Sequence, residues 1–454
     1  MIDKIKKRQK KLKMKFKISN VQFIVLMFLL IILAGSVLLW LPITHQEGQT
    51  LAYIDALFVA TSAVCVTGLT PINISEVLNP LGHTIMMLLI ELGGLGFMSV
   101  VLIIAMMFKR RLSFQSRLIM KDMLNLDSHG GVVKLLSFVV QFSLTIQGIG
   151  AVLLSTQFIP EYGLKKGIFY SVFHSVSAFC NAGFDLFGDS LIGYRSNSFV
   201  LIVIACLILA GGFGFIVWYD LIHYKKEHKL SLHTKIALSV SLFLVVFGTV
   251  IFFVTDVDGK SGWFNQFANS FFLSVTPRTA GFASLDYGSM SYAGLLLTIV
   301  LMFIGGTSGS TAGGVKTTTI GVLSVQLISL LKGRESAEGF GRSIPLKIVL
   351  KSFMFVFFSS VICFVSALIL AMTETIPYQS GIEYVLFEVV SAFATVGLTM
   401  GLTPNLTVFG KFLIMALMFI GRVGLYTVIF SLLRKEMKSQ GHNFSYPQEN
   451  VLIG

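Results

Sequence analysis

Apolar and polar positions in this chain alternate on the scale of a membrane rather than of one helix face. Long apolar segments fall near 21–42, 81–108, 133–158, 196–222, 234–255, 291–332, 346–372 and 406–434. Each is about twenty residues or longer, the length a helix needs to cross hydrocarbon. Between the members of each successive pair lies a shorter apolar stretch, at 53–66, 168–180, 264–276 and 382–394. About a dozen residues cannot span a bilayer, so these stretches are predicted to be re-entrant or buried. The expected fold class is an all-α integral membrane protein with eight transmembrane helices and four re-entrant pore helices.

The residues repeat as well as the pattern. The short stretches end in SAVCVTGL (62–69), SAFCNAGF (177–184), SVTPRTAGF (274–282) and SAFATVGL (391–398). A serine is followed six or seven residues later by Gly68, Gly183, Gly281 or Gly397, and then by Leu or Phe. The third stretch carries one additional residue between Ser274 and Gly281. A second mark lies in the following span: ELGGLGF (91–97), LAGGFGF (209–215), FIGGTSG (303–309) and FIGRVGL (419–425). It follows the first mark by 24 to 28 residues each time. Two marks in phase four times define a unit of span, pore segment and span. The expected division is a basic arm (1–20), repeats at 21–125, 126–230, 231–340 and 341–435, and a tail (436–454).

Composition narrows the class. The chain is 54% hydrophobic and 13% charged, about half the charged fraction of a soluble domain, which argues against a soluble enzyme. Its net charge of +13 could suggest nucleic acid, but the basic residues sit in short links between apolar blocks, so no nucleic-acid partner is expected. Lys109, Arg110, Arg111, Arg117 and Lys121 follow the second span, Lys225, Lys226 and Lys229 the fourth, Lys332 and Arg334 the sixth, and Arg434 and Lys435 the eighth. Acids collect on the other side: Glu47, Asp55, Glu76, Glu161, Asp185, Asp189, Asp256, Asp258, Glu374 and Glu383. The positive-inside rule places both termini in the cytoplasm, with the short segments dipping in from outside. The basic arm before Val21 is expected to precede a retained first span, since that apolar run is long and lacks a small-residue cleavage site. Cys65, Cys180, Cys206 and Cys363 lie in apolar stretches without metal-ligand spacing and read as packed thiols.

Irregular backbone survives at membrane depth only where it lines a cavity or is buried in protein. A short helix entering from outside aims its C-terminal carbonyls, the negative end of its dipole, at the membrane centre. An extended stretch after it would present carbonyls able to replace a cation's hydration shell. Four such segments around one axis would form a cation constriction, and acidic outer loops would concentrate cations at its mouth. The competing reading of each glycine is a helix-packing contact.

VCVTGL, FCNAGF, TPRTAGF and ATVGL resemble the four filter segments of the Trk/Ktr/HKT superfamily of potassium transporters, and the resemblance covers nearly the whole chain. With eight predicted spans and no extra N-terminal pair, the chain is most similar to a Ktr-type membrane subunit. The resemblance implies channel-like potassium uptake across the bacterial cell membrane, often sodium-dependent, and no enzymatic activity or organic cofactor. It implies ion-binding filter residues Val66, Thr67, Gly68, Asn181, Ala182, Gly183, Thr279, Ala280, Gly281, Thr395, Val396 and Gly397. No filter glycine is replaced by serine, the change some plant relatives show with sodium preference. A homodimer and a cytoplasmic ring of nucleotide-binding regulatory subunits are implied as partners.

The sixth span is interrupted by GGTSGSTAGGVKTTT (305–319), too polar and glycine-rich to remain helical in hydrocarbon, whereas the other repeats are expected to keep their apolar run there. The candidate gate comprises Gly305, Gly306, Thr307, Ser308, Gly309, Ser310, Thr311, Ala312, Gly313, Gly314, Lys316 and Arg422. In Ktr-like proteins this loop lies below the filter. A flexible, hydroxyl-rich strip under a constriction can block or clear it. Two other readings compete. GxxxxG at 309–314 resembles a phosphate loop, but Val315 separates Gly314 from Lys316 and no strand precedes it. Gly306-Thr307-Ser308-Gly309 fits the GxSG of intramembrane serine proteases, for which His174 is the candidate partner at depth.

An arginine at mid-span costs roughly 2.5–3.5 kcal/mol and needs a partner. The resemblance sets Arg422 against the gate loop, with carbonyls or hydroxyls of 306–312 as partners; satisfaction by nearby helix ends is the structural alternative. Lys316 would hold the loop's cytoplasmic end or snorkel to the interface. Arg278 would brace the filter through an outer acid such as Asp185. Glu91 would face the pore or pair with a basic side chain, Asp55 would cap the first pore helix, and His174 would be a packing residue.

Overall fold

The computed structural model describes residues 20–96, 132–256, 262–377, 381–425 and 427–428. Residues 1–19 of the basic arm, the link at 109–121 whose charges orient the predicted spans, and the tail at 436–454 lie outside the described residues.

In chain order the longer helices among the described residues are α1 (Asn20–Trp40), α2 (Tyr53–Cys65), α3 (Pro80–Leu95), α4 (Val132–Tyr162), α5 (Leu164–Cys180), α6 (Ser198–Gly212) and α7 (Phe215–Glu227). They continue with α8 (Leu232–Thr255), α9 (Trp263–Val275), α10 (Tyr292–Phe303), α11 (Thr317–Leu331), α12 (Leu346–Thr373), α13 (Ile382–Ala394) and α14 (Val408–Val423). A short antiparallel hairpin, β1 (Ala337–Gly339) and β2 (Arg342–Ile344), joins α11 to α12 with Ala337 opposite Ile344.

Helices α1, α4, α8 and α12 are long and apolar enough to cross a bilayer, and α6 with α7 makes a fifth if that bent pair is one span. Their outer faces are built for lipid. Helix α12 exposes Phe353, Phe357, Phe364 and Leu368 while burying Ser352, Ser359, Cys363 and Ser366. The small residues recur at helical spacing, which lets neighbouring backbones approach closely. The short helices α2, α5, α9 and α13 occupy the interior instead, with Phe58, Phe173, Phe179, Phe272, Phe387 and Phe393 buried on them. Too short to span and too apolar for solvent, they are surrounded by the longer helices.

The expectation that only the sixth apolar run breaks is corrected here. Helices α3, α6, α10 and α14 all end within the second glycine mark. Gly96, Gly214 and Gly424 take φ of 77°, 89° and 94°, and in the third repeat the positive φ falls on Gly309 at 73°. Such angles strain most residues and suit glycine. Between α6 and α7 the chain turns through 92°. The sequence conceals these breaks because glycine ends a helix without introducing polarity into the apolar run.

Candidate functional site

Helices α2, α5 and α13 end alike. Val66, Asn181 and Thr395 adopt φ of 57°, 62° and 53°, and their N–H groups donate to the carbonyls of Ala63, Ala178 and Ala392. The next N–H, of Thr67, Ala182 or Val396, donates at 2.8 Å to the carbonyl of Ser62, Ser177 or Ser391. This left-handed cap satisfies carbonyls that a helix end leaves free. Gly68, Gly183, Gly281 and Gly397 follow with φ of 98°, 69°, 80° and 98°. Two left-handed residues thus flank one that is not, so each stretch departs from a plain extended strand. Left-handed angles at β-branched Val66, Thr279 and Thr395 cost about 1–3 kcal/mol each, a strain that concentrates at functional sites.

The four stretches close a ring. A Cβ added to Gly68 would lie 2.5 Å from the Ala182 oxygen, and one on Gly183 would lie 2.7 Å from the Ala280 oxygen. One on Gly281 would strike the Val396 oxygen, and one on Gly397 the Thr67 oxygen. Each glycine therefore faces the carbonyl preceding the glycine of the next repeat, and the fourth faces the first. Hydroxyls brace the ring from behind. The Gly68 and Gly397 amides donate to Ser62 Oγ and Ser391 Oγ at 3.0 and 3.1 Å, while Ser177 Oγ donates to the Phe184 carbonyl at 2.8 Å.

The third stretch departs from the others. Helix α9 leaves Thr276 right-handed, and the positive φ arrives at Thr279 (74°). The bracing hydroxyl is Thr276 Oγ1, which donates to the Phe282 carbonyl at 2.6 Å. Ser274, matched to the other serines by sequence, instead donates to the Val245 carbonyl on α8 at 2.8 Å.

Below the ring, the loop from 304 to 316 is laced to the second, third and fourth repeats. Its Thr307 and Thr311 amides donate to the Gly212 and Gly211 carbonyls at 2.9 and 3.2 Å, and Phe215 N–H donates to the Gly309 carbonyl at 2.9 Å. The break between α6 and α7 supplies these groups. Thr311 Oγ1 donates to the Phe179 carbonyl at 3.2 Å. A Cβ on Gly305 would lie 2.9 Å from Thr279 Cγ2, and one on Gly313 would lie 2.8 Å from the Ala394 oxygen. Lys316 Nζ donates to the Ala312 and Gly313 carbonyls at 2.5 and 3.1 Å, so it holds the loop rather than reaching outward. Thr307 pairs with Thr317, and Ser308 with Thr318, through hydroxyls 3.1 and 2.7 Å apart. Ser310, Ala312 and Gly314 complete this strip, with the Ala312 amide donating to Ser310 Oγ at 3.2 Å.

Arg422 connects the loop to the first repeat. Its guanidinium donates to the Thr311 carbonyl and to the Gly93 carbonyl, and to the Gly94 carbonyl at 3.0 Å. The expected loop partner and the helix-end alternative both hold, because the carbonyls freed at the end of α3 face the same guanidinium. That end is also the negative pole of the helix.

Several charged-residue expectations are corrected. Helix α2 is capped at Ala52 without a side-chain bond, and Asp55 pairs with Lys411 at 2.6 Å. Arg278 does not reach Asp185. It donates to Ser241 Oγ at 3.0 Å and lies close to the Ser241 carbonyl on α8, leaving Nε without a partner. Asp185 accepts from the Phe187 and Gly188 amides at 2.9 and 2.7 Å; burial pushes its carboxyl up, and those amides hold it down. Glu91 has no basic partner in these contacts, accepting from Gln147 Nε2 at 3.0 Å and from the Cys180 thiol at 3.2 Å. Other outer acids brace helix starts: Asp256 accepts from the Ser291 amide, and Glu374 from the Thr407 amide, each at 2.8 Å. His174 is packed and satisfied. It stacks on Phe187 at 4.3 Å, donates to the Tyr170 carbonyl at 2.7 Å and accepts from the Leu186 amide at 3.3 Å. Both its nitrogens are committed, so it cannot activate Ser308. All four cysteines are free thiols, with Cys206 the exposed one.

Sequence reasoning missed Glu388, fully buried on α13, which accepts from Thr399 Oγ1 at 2.8 Å and from Thr403 and so anchors the loop after the fourth stretch. A carboxylate inside an apolar segment was the available signal. It also missed Thr276 and Lys411.

The model of the TrkH family, described as cation transport protein, matches residues 3–446. The chain is 50% identical to the potassium/sodium uptake protein NtpJ of Enterococcus hirae, over 99% of each chain. It is 39% identical to Ktr system potassium uptake protein B of Bacillus subtilis, over 95% of this chain and 96% of that one. Among solved structures it resembles the potassium transporter TrkH from Vibrio parahaemolyticus, with a TM-score of 0.73 over 93% of this chain and 86% of that chain, at 18% identity.

Proposed function

The chain belongs to the TrkH family of cation transport proteins, and from that premise we propose that it takes potassium into the cell through a single pore formed by its own four repeats. It is a membrane transport protein and not an enzyme. The observation that carries the potassium reading is the closed ring in which Gly68, Gly183, Gly281 and Gly397 each face the next repeat's carbonyl. Carbonyls held at fixed spacing can replace the hydration shell of one monovalent cation. In this reading the filter is Val66–Gly68, Asn181–Gly183, Thr279–Gly281 and Thr395–Gly397, framed by eight spans and four pore helices in the repeats 21–125, 126–230, 231–340 and 341–435. Residues 305–317 and Arg422 form the gate. Sodium is a second cargo or a coupling ion in this reading, favoured by the potassium/sodium uptake named for the half-identical relative.

Both termini are cytoplasmic, two copies pair in the bilayer, and a nucleotide-binding ring controls the gate from the cytoplasm. The expected test is potassium uptake in a potassium-starved cell lacking its own transporters. The wild-type chain restores uptake, Gly397→Ser weakens potassium affinity, and deletion of 307–311 alters maximal uptake. Unchanged potassium affinity in Gly397→Ser contradicts the filter, and unchanged uptake in the deletion contradicts the gate.

A further inference from the structure

In the ring of four glycines, three boundaries between repeats are also crossed by the continuous chain. The boundary between the fourth repeat and the first is not. There Gly397 lies against the Thr67 carbonyl and Gly68 with no covalent tie between the two segments. Helix α14 reaches across this seam at both ends. Arg422, in its last turn, donates to the Gly93 and Gly94 carbonyls. In its first turn, Lys411 Nζ lies 2.6 Å from Asp55 Oδ1, with the two side chains only 14% and 18% exposed.

This pair joins the fourth repeat to the first, whereas the Arg334–Glu338 pair lies between the end of α11 and the hairpin. At the boundary between the second and third repeats, the Asn265 and Asn269 amides donate to the Arg195 carbonyl at 3.1 and 2.9 Å, and Leu191 N–H donates to the Ala283 carbonyl at 2.9 Å. Asp55 stands in the first turn of α2, and the opposite end of α2 opens directly into Val66, Thr67 and Gly68. A helix is a stiff rod, so fixing its first turn to α14 fixes the height and tilt at which Thr67 meets Gly397. The pair is partly buried, so removing one member leaves the other charge poorly compensated and the link resists breaking.

We propose that the Asp55–Lys411 ion pair is a latch that closes the ring at its one noncovalent seam and positions the Thr67 carbonyl against Gly397, thereby setting discrimination between potassium and sodium. This rests on the filter reading above. The pair positions filter atoms and does not itself contact the ion.

The rival role for Asp55 is that of a mouth charge attracting cations, and the two roles differ in sign. A latch is broken equally from either side, so Asp55→Asn and Lys411→Met both lower the potassium-to-sodium preference. A mouth charge gives opposite effects, since one change removes a negative charge and the other a positive one. The experiment measures potassium uptake against competing sodium, with the full chain expressed in a transporter-deficient cell and its membrane level determined. Both single variants are expected to lose preference by roughly fivefold or more. Asp55→Glu, which keeps the charge and lengthens the arm, loses less, and Lys411→Arg stays near wild type. Opposite shifts, or an unchanged preference in both single variants, overturn the latch. Gly183→Ser, at a boundary the chain itself crosses, separates the two levels. If it abolishes preference while the single variants keep it, the latch alone fails; if it too leaves preference unchanged, the filter reading fails with it.

Discussion

The ring and the layer beneath it are made from the same four repeats and treat their equivalence in opposite ways. In the ring, Gly68, Gly183, Gly281 and Gly397 share one backbone hand and one kind of neighbour. In the second mark, the corresponding places are Gly94, Gly212, Gly306 and Arg422, and each does something different. Gly94 leaves room for the Cys180 side chain, and the Gly212 carbonyl receives the Thr307 amide. Gly306 enters the loop, where its carbonyl accepts from the Thr317 amide at 3.0 Å, and Arg422 carries a charge to that loop. Coordinating an ion on an axis requires like groups at like distances. A gate needs one movable element and unlike supports around it, so symmetry is useful above and unhelpful below.

This contrast can be broken experimentally, and the largest expected effect is in the asymmetric layer. Deleting 307–311 removes the strip under the ring and its amide links to Gly211, Gly212 and Phe215. Maximal potassium uptake is expected to rise on the order of tenfold, equivalent to about 1.4 kcal/mol, with potassium preference retained. A loss of preference instead would mean that the two layers are not separable. Arg422→Gln comes next. It removes the charge that gathers the Thr311, Gly93 and Gly94 carbonyls, each of which then loses a charge-assisted bond of about 1.5–3 kcal/mol. Basal uptake should rise several-fold. Arg422→Lys should recover only part of the control, because an ammonium cannot fork between two segments as a guanidinium does.

Gly214→Ala tests whether the break between α6 and α7 belongs to the gate. Its φ of 89° disfavours a side chain, and the new Cβ would lie 3.0 Å from the Ser308 oxygen. A penalty of about 1–3 kcal/mol is expected, read as a lower unfolding temperature in detergent together with leak through the gate. The smallest effect belongs to Ser308→Ala, which forfeits one hydroxyl pair with Thr318 at a cost of about 1 kcal/mol. Uptake should stay close to wild type, and complete loss would contradict so small a role for the pair.

The ring was legible because glycine at a required left-handed position leaves a mark that recurs with the repeat. The break in the sixth apolar run was legible because GGTSGSTAGG introduces polarity there. The other breaks were not. Gly96 and Gly214 end their helices inside sequences that stay apolar on both sides, and Gly424 ends its helix two residues after Arg422 in a run that is otherwise apolar. The partners of isolated charges were equally hidden. Asp55 and Lys411 lie 356 positions apart in the chain, and only packing the fourth repeat against the first brings them together. Arg278 pairs with Ser241 because its pore helix leans on α8, a direction that spacing does not encode. Thr276 replaced Ser274 because α9 ends right-handed, which shifts the bracing hydroxyl along the turn.

The most direct test of the central claim is to change each ring glycine to serine singly, as Gly68→Ser, Gly183→Ser, Gly281→Ser and Gly397→Ser, and to measure potassium uptake against competing sodium for all four. The closed ring predicts that every one of them lowers the potassium-to-sodium preference, since each new side chain meets the carbonyl of the next repeat. A variant that keeps the wild-type preference at full membrane abundance would take its glycine out of the filter and contradict the four-repeat pore.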